Sequence, residues 1–496
     1  MVSRPLNLAY EGAAQTRRTA RWIAPASSPN TGMLGSLALL RDRSRQAVRN
    51  DGFAEGAIDA MVSNLIGTGI KPLSKSPDAT FRKAVHAAWL RWTDESDADG
   101  GFDWYGQQSQ ATRGFLEAGE IFVRLRPRLP SDGLSVPLQV QVIEPELCPH
   151  THSTMTLPNG NKVRAGIEFN VIGKRVAYWF HPSRPGDWED FDSSTLQRVP
   201  AELVIHLYNP LRVGQLRGLP LLTQALIKMH EIDKLDDAMV LRHQVANMFA
   251  GFLTREPSTV DPEIDPLSSG TLQTTLQDQA LVSLEPGLMQ ELGPGESVTF
   301  SNPPDIGAMY PDFMRQQLRA VAAATKVPYE LLTGDMSSVN DRTVRVILNA
   351  FRRRLRAWQE QIITFQLCRR VWATWLDRAF LSGALPTPAG YATNPWPWVH
   401  AEFKPERFEY IHPVQDIEAK VAEINAGFTT RSAVVSEQGD DAEAIDAEQA
   451  EDNARADELG LKYDSDARFL KVAKSALAPA HDTAAADASG SEGAAA

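Results

Sequence analysis

Residues 342–381 place the strongest constraint on the fold. Val344, Ile347, Phe351, Leu355, Trp358, Ile362, Phe365, Trp372 and Leu376 recur at three-, four- and seven-residue steps, the spacing of one buried helix stripe. Neither Gly nor Pro interrupts the run. About forty residues at a rise of about 1.5 Å make a helix about 60 Å long. A chain of 496 residues suggests about three domains or one large elaborated unit, and a rod of that length suits either. The helix carries nine arginines and two acids. Arg342, Arg345, Arg352, Arg353, Arg354 and Arg356 form a basic cluster with two readings: a solvated or inter-subunit salt-bridging face, or contacts to phosphate.

Upstream, helical spacing runs over residues 41–66, 78–93 and 104–119. Residues 1–40 have weak periodicity and read as an extended or partly disordered arm. Strand patterns follow at Glu120–Arg126, Leu138–Ile143 and Glu202–Leu207, with a hairpin of 167–169 and 176–180 turning at Gly173. Pro220 opens a further helix, since a proline in the first turn forfeits no helical hydrogen bond. Residues 252–304 are rich in Pro, Ser, Thr and Gly, with β-like pieces at 280–284 and 297–300. Another helix starts near Pro311 and stops before Pro328. A polar loop (LLTGDMSSVND) precedes the long helix, and residues 414–460 read as one or two shorter helices. The fold class is therefore mixed α/β and helix-rich.

The formal net charge of −12 is unevenly placed. Residues 436–458 hold ten acids and one base, so the acidity belongs to one C-terminal segment. Such a balance argues against an open DNA-reading face but not against enclosing DNA without gripping it. No apolar run approaches the length of about 18 residues that a membrane helix needs. Two cysteines, Cys148 and Cys368, exclude a disulfide framework.

Catalytic signatures are incomplete. Gly67-Thr68-Gly69-Ile70-Lys71 lacks the spacing of a phosphate loop, and neither a G-x-S-x-G elbow nor an H-E-x-x-H helix occurs. The acidic run 95–100 begins like a calcium loop, but Gly106 stands where a bidentate Glu is needed. Cys148, His150 and His152 are the best candidate metal ligands, without an evident fourth. The expectation is no metal, no cofactor and no enzymatic activity. The competing readings are a metal-dependent hydrolase or nuclease centred on those three residues, and a DNA-binding adaptor using the arginine helix.

Several stretches in a fixed order resemble the lambda-type family of phage portal proteins. They are Arg45…Arg49-Asn50…Ala57 to Pro72, Gly119-Glu120-Ile121-Phe122-Val123, Val142-Ile143-Glu144-Pro145-Glu146, Gly166-Ile167-Glu168-Phe169 and 176–179. After these come 199–201, His206-Leu207, Gly214-Gln215-Leu216-Arg217-Gly218-Leu219-Pro220, 292–296 and 327–337. Each is weak alone, and their collinear order over about residues 40–460 is specific. One stretch departs: where the family often reads N-Y-S-S-x-R, this chain reads Asn340-Asp341-Arg342-Thr343-Val344-Arg345.

The resemblance implies a portal-like fold with wing, stem, clip and crown regions, assembling into a ring. Carried over, 1–40 is an N-terminal arm, 41–215 the wing, 216–251 a stem helix, 252–304 the clip and 305–328 a second stem helix. Residues 329–341 are the channel loop, with Asp335, Met336, Ser337, Ser338 and Asn340 toward DNA. Residues 342–404 are the long wing helix and a Pro/Trp-rich connection, 405–460 the crown and 461–496 a disordered tail. The implied assembly is a dodecameric homo-oligomer at one capsid vertex of the virion, formed in the host cytoplasm. Its implied partners are the terminase large subunit, a head-tail connector, the major capsid or scaffold protein, and double-stranded DNA bound without sequence specificity, with no membrane.

Overall fold

In the computed structural model the described residues are 17, 21, 26–183, 195–247, 251–255, 296–300, 310–337, 339–408, 413–438 and 440–463. The expected pieces at 280–284 and 292–296, most of 252–304, and the tail from 464 lie outside or almost outside that set. The chain divides into two compact units. The first contains 1–42, 58–221 and 337–496, and the second 43–57 and 222–336.

The core of the first unit grows from aromatic stripes on three helices. Asp78 caps helix Ala79–Thr93, its carboxylate accepting from the Thr80 and Phe81 N–H groups. Asp103 caps Trp104–Ala118 in the same way. Trp89 and Trp92 from the first, Trp104 from the second, and Trp372 and Trp375 from helix Arg369–Ser382 form one cluster. Trp89 lies 4.9–5.1 Å from Trp92, Trp375 and Trp372, centroid to centroid. Two of the indole N–H groups find carbonyl acceptors, while the buried Trp375 Nε1 has no hydrogen-bond partner among the described residues. Trp92 donates to the Leu138 carbonyl and Trp372 to that of Val399, each at 2.8 Å.

Beside this cluster lies a three-stranded antiparallel sheet in the order Leu138–Ile143, Glu120–Pro127, Val204–Tyr208. A four-stranded sheet runs Lys162–Arg164, Ile167–Phe169, Arg175–Phe180, Gln197–Pro200. Lys71–Ser74 pairs antiparallel with Ala401–Lys404, two segments with no strand signal in the sequence pattern.

The long helix spans Asp341–Ser382, but it is not α-helical throughout. Gln359–Cys368 is π-helical, widened where side chains bond to other elements. Gln359 donates to the Leu65 carbonyl at 3.0 Å, and Gln366 bonds both the N–H and the carbonyl of Tyr208. Gly383, at φ +77°, ends it.

Four expectations need correction. The arm is not extended throughout 1–40, because Pro29–Leu34 and Leu37–Asn50 are helical. Ser28 caps the first of these, and Asn30 ties it down through the Gly214 carbonyl and the Leu216 N–H. The helix expected over 41–66 is two helices, broken at Asp51, whose carboxylate accepts from Phe53 N–H at 2.8 Å. The loop expected over 329–341 begins with a helical turn, Tyr329–Thr333, and ends with Asn340 as a cap. Residues 413–459 hold three helices, Pro413–Asn425, Arg431–Glu437 and Ala442–Leu459.

In the second unit, helices Leu226–Asn247 and Tyr310–Thr325 pack together. Met229, Ile232, Leu318 and Val321 are buried there. Lys228 donates to Gln317 at 2.6 Å, and the Tyr310 hydroxyl donates to Asp236. Gly251–Arg255 pairs antiparallel with Glu296–Phe300 and so joins the two ends of the intervening segment.

Candidate functional site

Glu120 starts the central strand of the three-stranded sheet, and its side chain is fully buried. A lone buried carboxylate is costly, so it must be neutralised or saturated with donors. Four donors reach it. Arg217 Nε lies 2.6 Å away, His206 Nε2 2.7 Å and the Gly218 N–H 2.9 Å, and Arg41 Nη2 completes the set. Burial alone raises a carboxyl pKa, but the guanidiniums of Arg217 and Arg41 and the His206 bond outweigh it. They hold Glu120 well below the usual carboxylate range.

Two glycines allow this approach. Gly119 has φ +87°, and a Cβ there would sit 2.2 Å from the Leu219 carbonyl carbon. A Cβ on Gly218 would lie 1.9 Å from the Gly119 oxygen. Backbone therefore passes against backbone, and the Gly218 N–H can reach Glu120.

Arg217 is also fully buried, and it spends its remaining donors on carbonyls. Nη1 donates to Cys148 and Ala165 at 3.0 and 2.9 Å, and Nη2 to Pro145 at 3.3 Å. Its guanidinium lies 5.3 Å from the Phe122 ring centroid. His206 stacks between Phe122 and Tyr208, at 4.5 and 4.3 Å. Tyr208 receives a bond from Arg175 at 2.6 Å and donates to the Gln215 carbonyl at 3.2 Å. The family-like stretches at 119–123, 142–146, 166–169, 206–207 and 214–220 thus meet around one buried ion cluster.

Burial pushes the His206 pKa down to about 4, although Glu120 opposes the shift. The ring is neutral at pH 7, with the proton on Nε2 toward Glu120 and Nδ1 facing Arg175 at 3.4 Å. An unfolded histidine titrates near 6.5. Between about pH 6.5 and 4 the unfolded chain therefore binds more protons than the folded one, and stability falls as pH falls through that window. The loss amounts to at most roughly 3 kcal/mol. Melting curves at stepped pH should show that slope, and His206→Gln should flatten it. An equal slope in the variant would assign the acid sensitivity elsewhere.

The structure does not assemble Cys148, His150 and His152 into a ligand set. Among the described residues no three His, Cys, Asp or Glu side chains converge to hold a metal. Cys148 is buried against the Gly166 carbonyl, and burial raises its thiol pKa to about 11. Burial and the Arg217 charge push the His150 pKa down, while His152 tilts against the Trp179 ring at 5.7 Å. The acidic run at 95–100 is likewise a backbone device. Asp97 accepts from the N–H groups of Asp99, Gly101 and Phe102 and from Gln107 Nε2.

The loop residues have different placements. The Asp335 carboxylate accepts from the Tyr329 hydroxyl at 3.0 Å and lies 3.8 Å from Arg315 Nε, so it anchors the loop. Asn340 accepts from the Thr343 N–H at 3.0 Å as the helix cap. Met336 and Ser337 are exposed, and Ser338 lies outside the described residues. The division between the two units falls between Met336 and Ser337.

Arg345, Arg352, Arg353 and Arg356 share one helix face and, with Asn349, line a cleft opposite helix Pro413–Asn425. Arg352 lies 5.0 Å from the Phe408 ring centroid. Arg342 and Arg354 are exposed and do not line that cleft.

The profile described as phage portal protein, lambda family, matches residues 15–359. A probable portal protein of Halomonas phage phiHAP-1 is 24% identical over 475 residues, covering 92% of this chain and 88% of its own. Portal protein B of Escherichia phage lambda is 21% identical over 492 residues, covering 89% and 88%. A chain in the solved neck of a native GTA particle, computed with C12 symmetry, aligns with TM-score 0.43 and 14% identity over 84% of this chain and 94% of its own. Among the described residues no helix is long and apolar enough to cross a membrane.

Proposed function

Since the chain belongs to the lambda family of phage portal proteins, we propose that it forms a ring-shaped channel, of about a dozen copies, at one capsid vertex. Double-stranded DNA passes through the ring during packaging and ejection. The segment 252–304 docks the terminase large subunit and later the head-tail connector. The wing and crown, 41–215 with 342–404 and 405–460, face the major capsid or scaffold protein. The protein acts as a structural channel rather than a catalyst, in the virion and, during assembly, in the host cytoplasm.

The observation that carries this reading is the family match over residues 15–359, a range that includes helices Leu226–Asn247 and Tyr310–Thr325 and the loop after them. Charge supports it. A channel that lets DNA slide must not grip phosphates, because each neutralised phosphate adds salt-dependent affinity. The loop stretch 334–340 contains no Lys or Arg. Met336 and Ser337 are exposed and line the passage in this reading.

Met336→Lys with Ser337→Lys should leave ring assembly intact and slow packaging severalfold in a purified motor assay. Raising the salt concentration should relieve the slowing. An unchanged packaging rate at low salt would remove these residues from the channel.

A further inference from the structure

We propose that the cleft lined by Arg345, Arg352, Arg353 and Arg356 receives the outer face of the acidic helix Ala442–Leu459 from a second copy of this chain. The inference rests on the ring reading and specifies how neighbouring copies are joined.

The cleft has a volume of about 510 Å³ and presents five cations, the four arginines and Lys420, against Asp416 and Glu423. Lys420 holds Glu423 at 3.1 Å. Two of the four arginines are under-used. Among the described residues no ion pair engages Arg353 or Arg356, and both are exposed.

The acidic helix is the complementary surface. It holds seven acids and one Arg, and Ala442 is its one buried residue. Its inner face is bound within its own chain: Glu443 pairs with Arg82 at 2.7 Å and Asp446 with Arg431 at 2.6 Å. Glu448, Glu451 and Glu458 are exposed along the helix beyond those pairs, while Asp452 pairs with Arg455 of the same helix. A helix whose outer face is acidic gains nothing by packing on an apolar core, but it suits a basic groove.

The dimensions agree. Arg345 to Arg356 spans about 16 Å along its helix, and Glu448 to Glu458 about 15 Å. A closed ring needs two different, complementary faces on each protomer, and these stripes are such a pair.

Charge reversal tests the pairing in the full-length chain, co-expressed with its capsid partners. Ring fraction is read by electron microscopy and native mass spectrometry. Arg353→Glu with Arg356→Glu should lower the ring fraction at least tenfold, as should Glu448→Arg with Glu451→Arg. Combining all four should restore it. Both positions are exposed, so melting temperature should not move. If the wild type forms rings and the reversals change nothing, or the combination does not restore them, the pairing is wrong while the channel reading stands. Variants that form normal rings but retain less DNA would assign the arginines to phosphate and overturn the pairing. A wild type that forms no rings removes both readings together.

Discussion

Glu120→Gln should destabilise the first unit by about 3–5 kcal/mol, enough to send most of the expressed protein into the insoluble fraction. The shape is retained, but the amide offers one acceptor where a carboxylate offers two. Its NH2 group would face donors from Arg217, Arg41, His206 or Gly218. Two guanidiniums would then be buried beside a neutral group, and removing one partner of a buried ion cluster costs most through the charge left behind. Adding Arg41→Met to Glu120→Gln should recover part of the loss, because one fewer unpaired cation remains. Denaturant unfolding of the soluble fraction measures both. A Glu120→Gln protein as stable as wild type would show that the cluster contributes no net stability.

Gly218→Ala is expected to cost nearly as much although it adds a single methyl group. The new Cβ would sit 1.9 Å from the Gly119 oxygen and 2.6 Å from its carbonyl carbon, which are backbone atoms that cannot rotate away. The strand must shift, at about 1–3 kcal/mol for overpacking. The shift also draws the Gly218 N–H off Glu120, a bond to a charged group worth roughly 1.5–3 kcal/mol. Gly52→Ala is the control. Nothing lies within 4 Å of a Cβ there, and it opens helix Gly52–Leu65. It should be neutral or slightly stabilising. Equal stability of the two alanine variants would refute the close-approach argument.

Periodic, locally determined elements were legible in the sequence. Helices Ala79–Thr93 and Trp104–Ala118 and strands Glu120–Pro127 and Leu138–Ile143 lie within a residue or so of the pattern reading, because each buries one regular face. Elements fixed by distant partners were not. Lys71–Ser74 is four residues long, contains Pro72, and becomes a strand only through Ala401–Lys404. The π-helical stretch likewise depends on what Gln359 and Gln366 meet. The three C-terminal helices could have been separated by their caps, since Thr430 and Asp441 each accept an N–H bond at a helix start.

The ion cluster was half legible. The family-like stretches contain Glu120, His206, Arg217 and Gly218, but spacing gives no hint that they converge. Arg41 and Arg217 stand 79 and 97 positions from Glu120. The available signal was a charged residue heading an apolar strand, with a Gly before it and a second Gly after a distant Arg. The same limit explains Cys148, His150 and His152. Alternate spacing suggested ligands, whereas Cys148 serves the cluster by packing against Gly166 and lending its carbonyl to Arg217.

In the proposed assembly, copies of this chain close into a ring around a channel wide enough for duplex DNA. Electron microscopy of the full-length protein, co-expressed with its capsid and scaffold partners and imaged both free and in assembled shells, tests it most directly. Rings of about a dozen subunits with an open centre are expected, one at a single vertex of each shell. Shells whose vertices are all alike, with the protein recovered only as monomers, would contradict it.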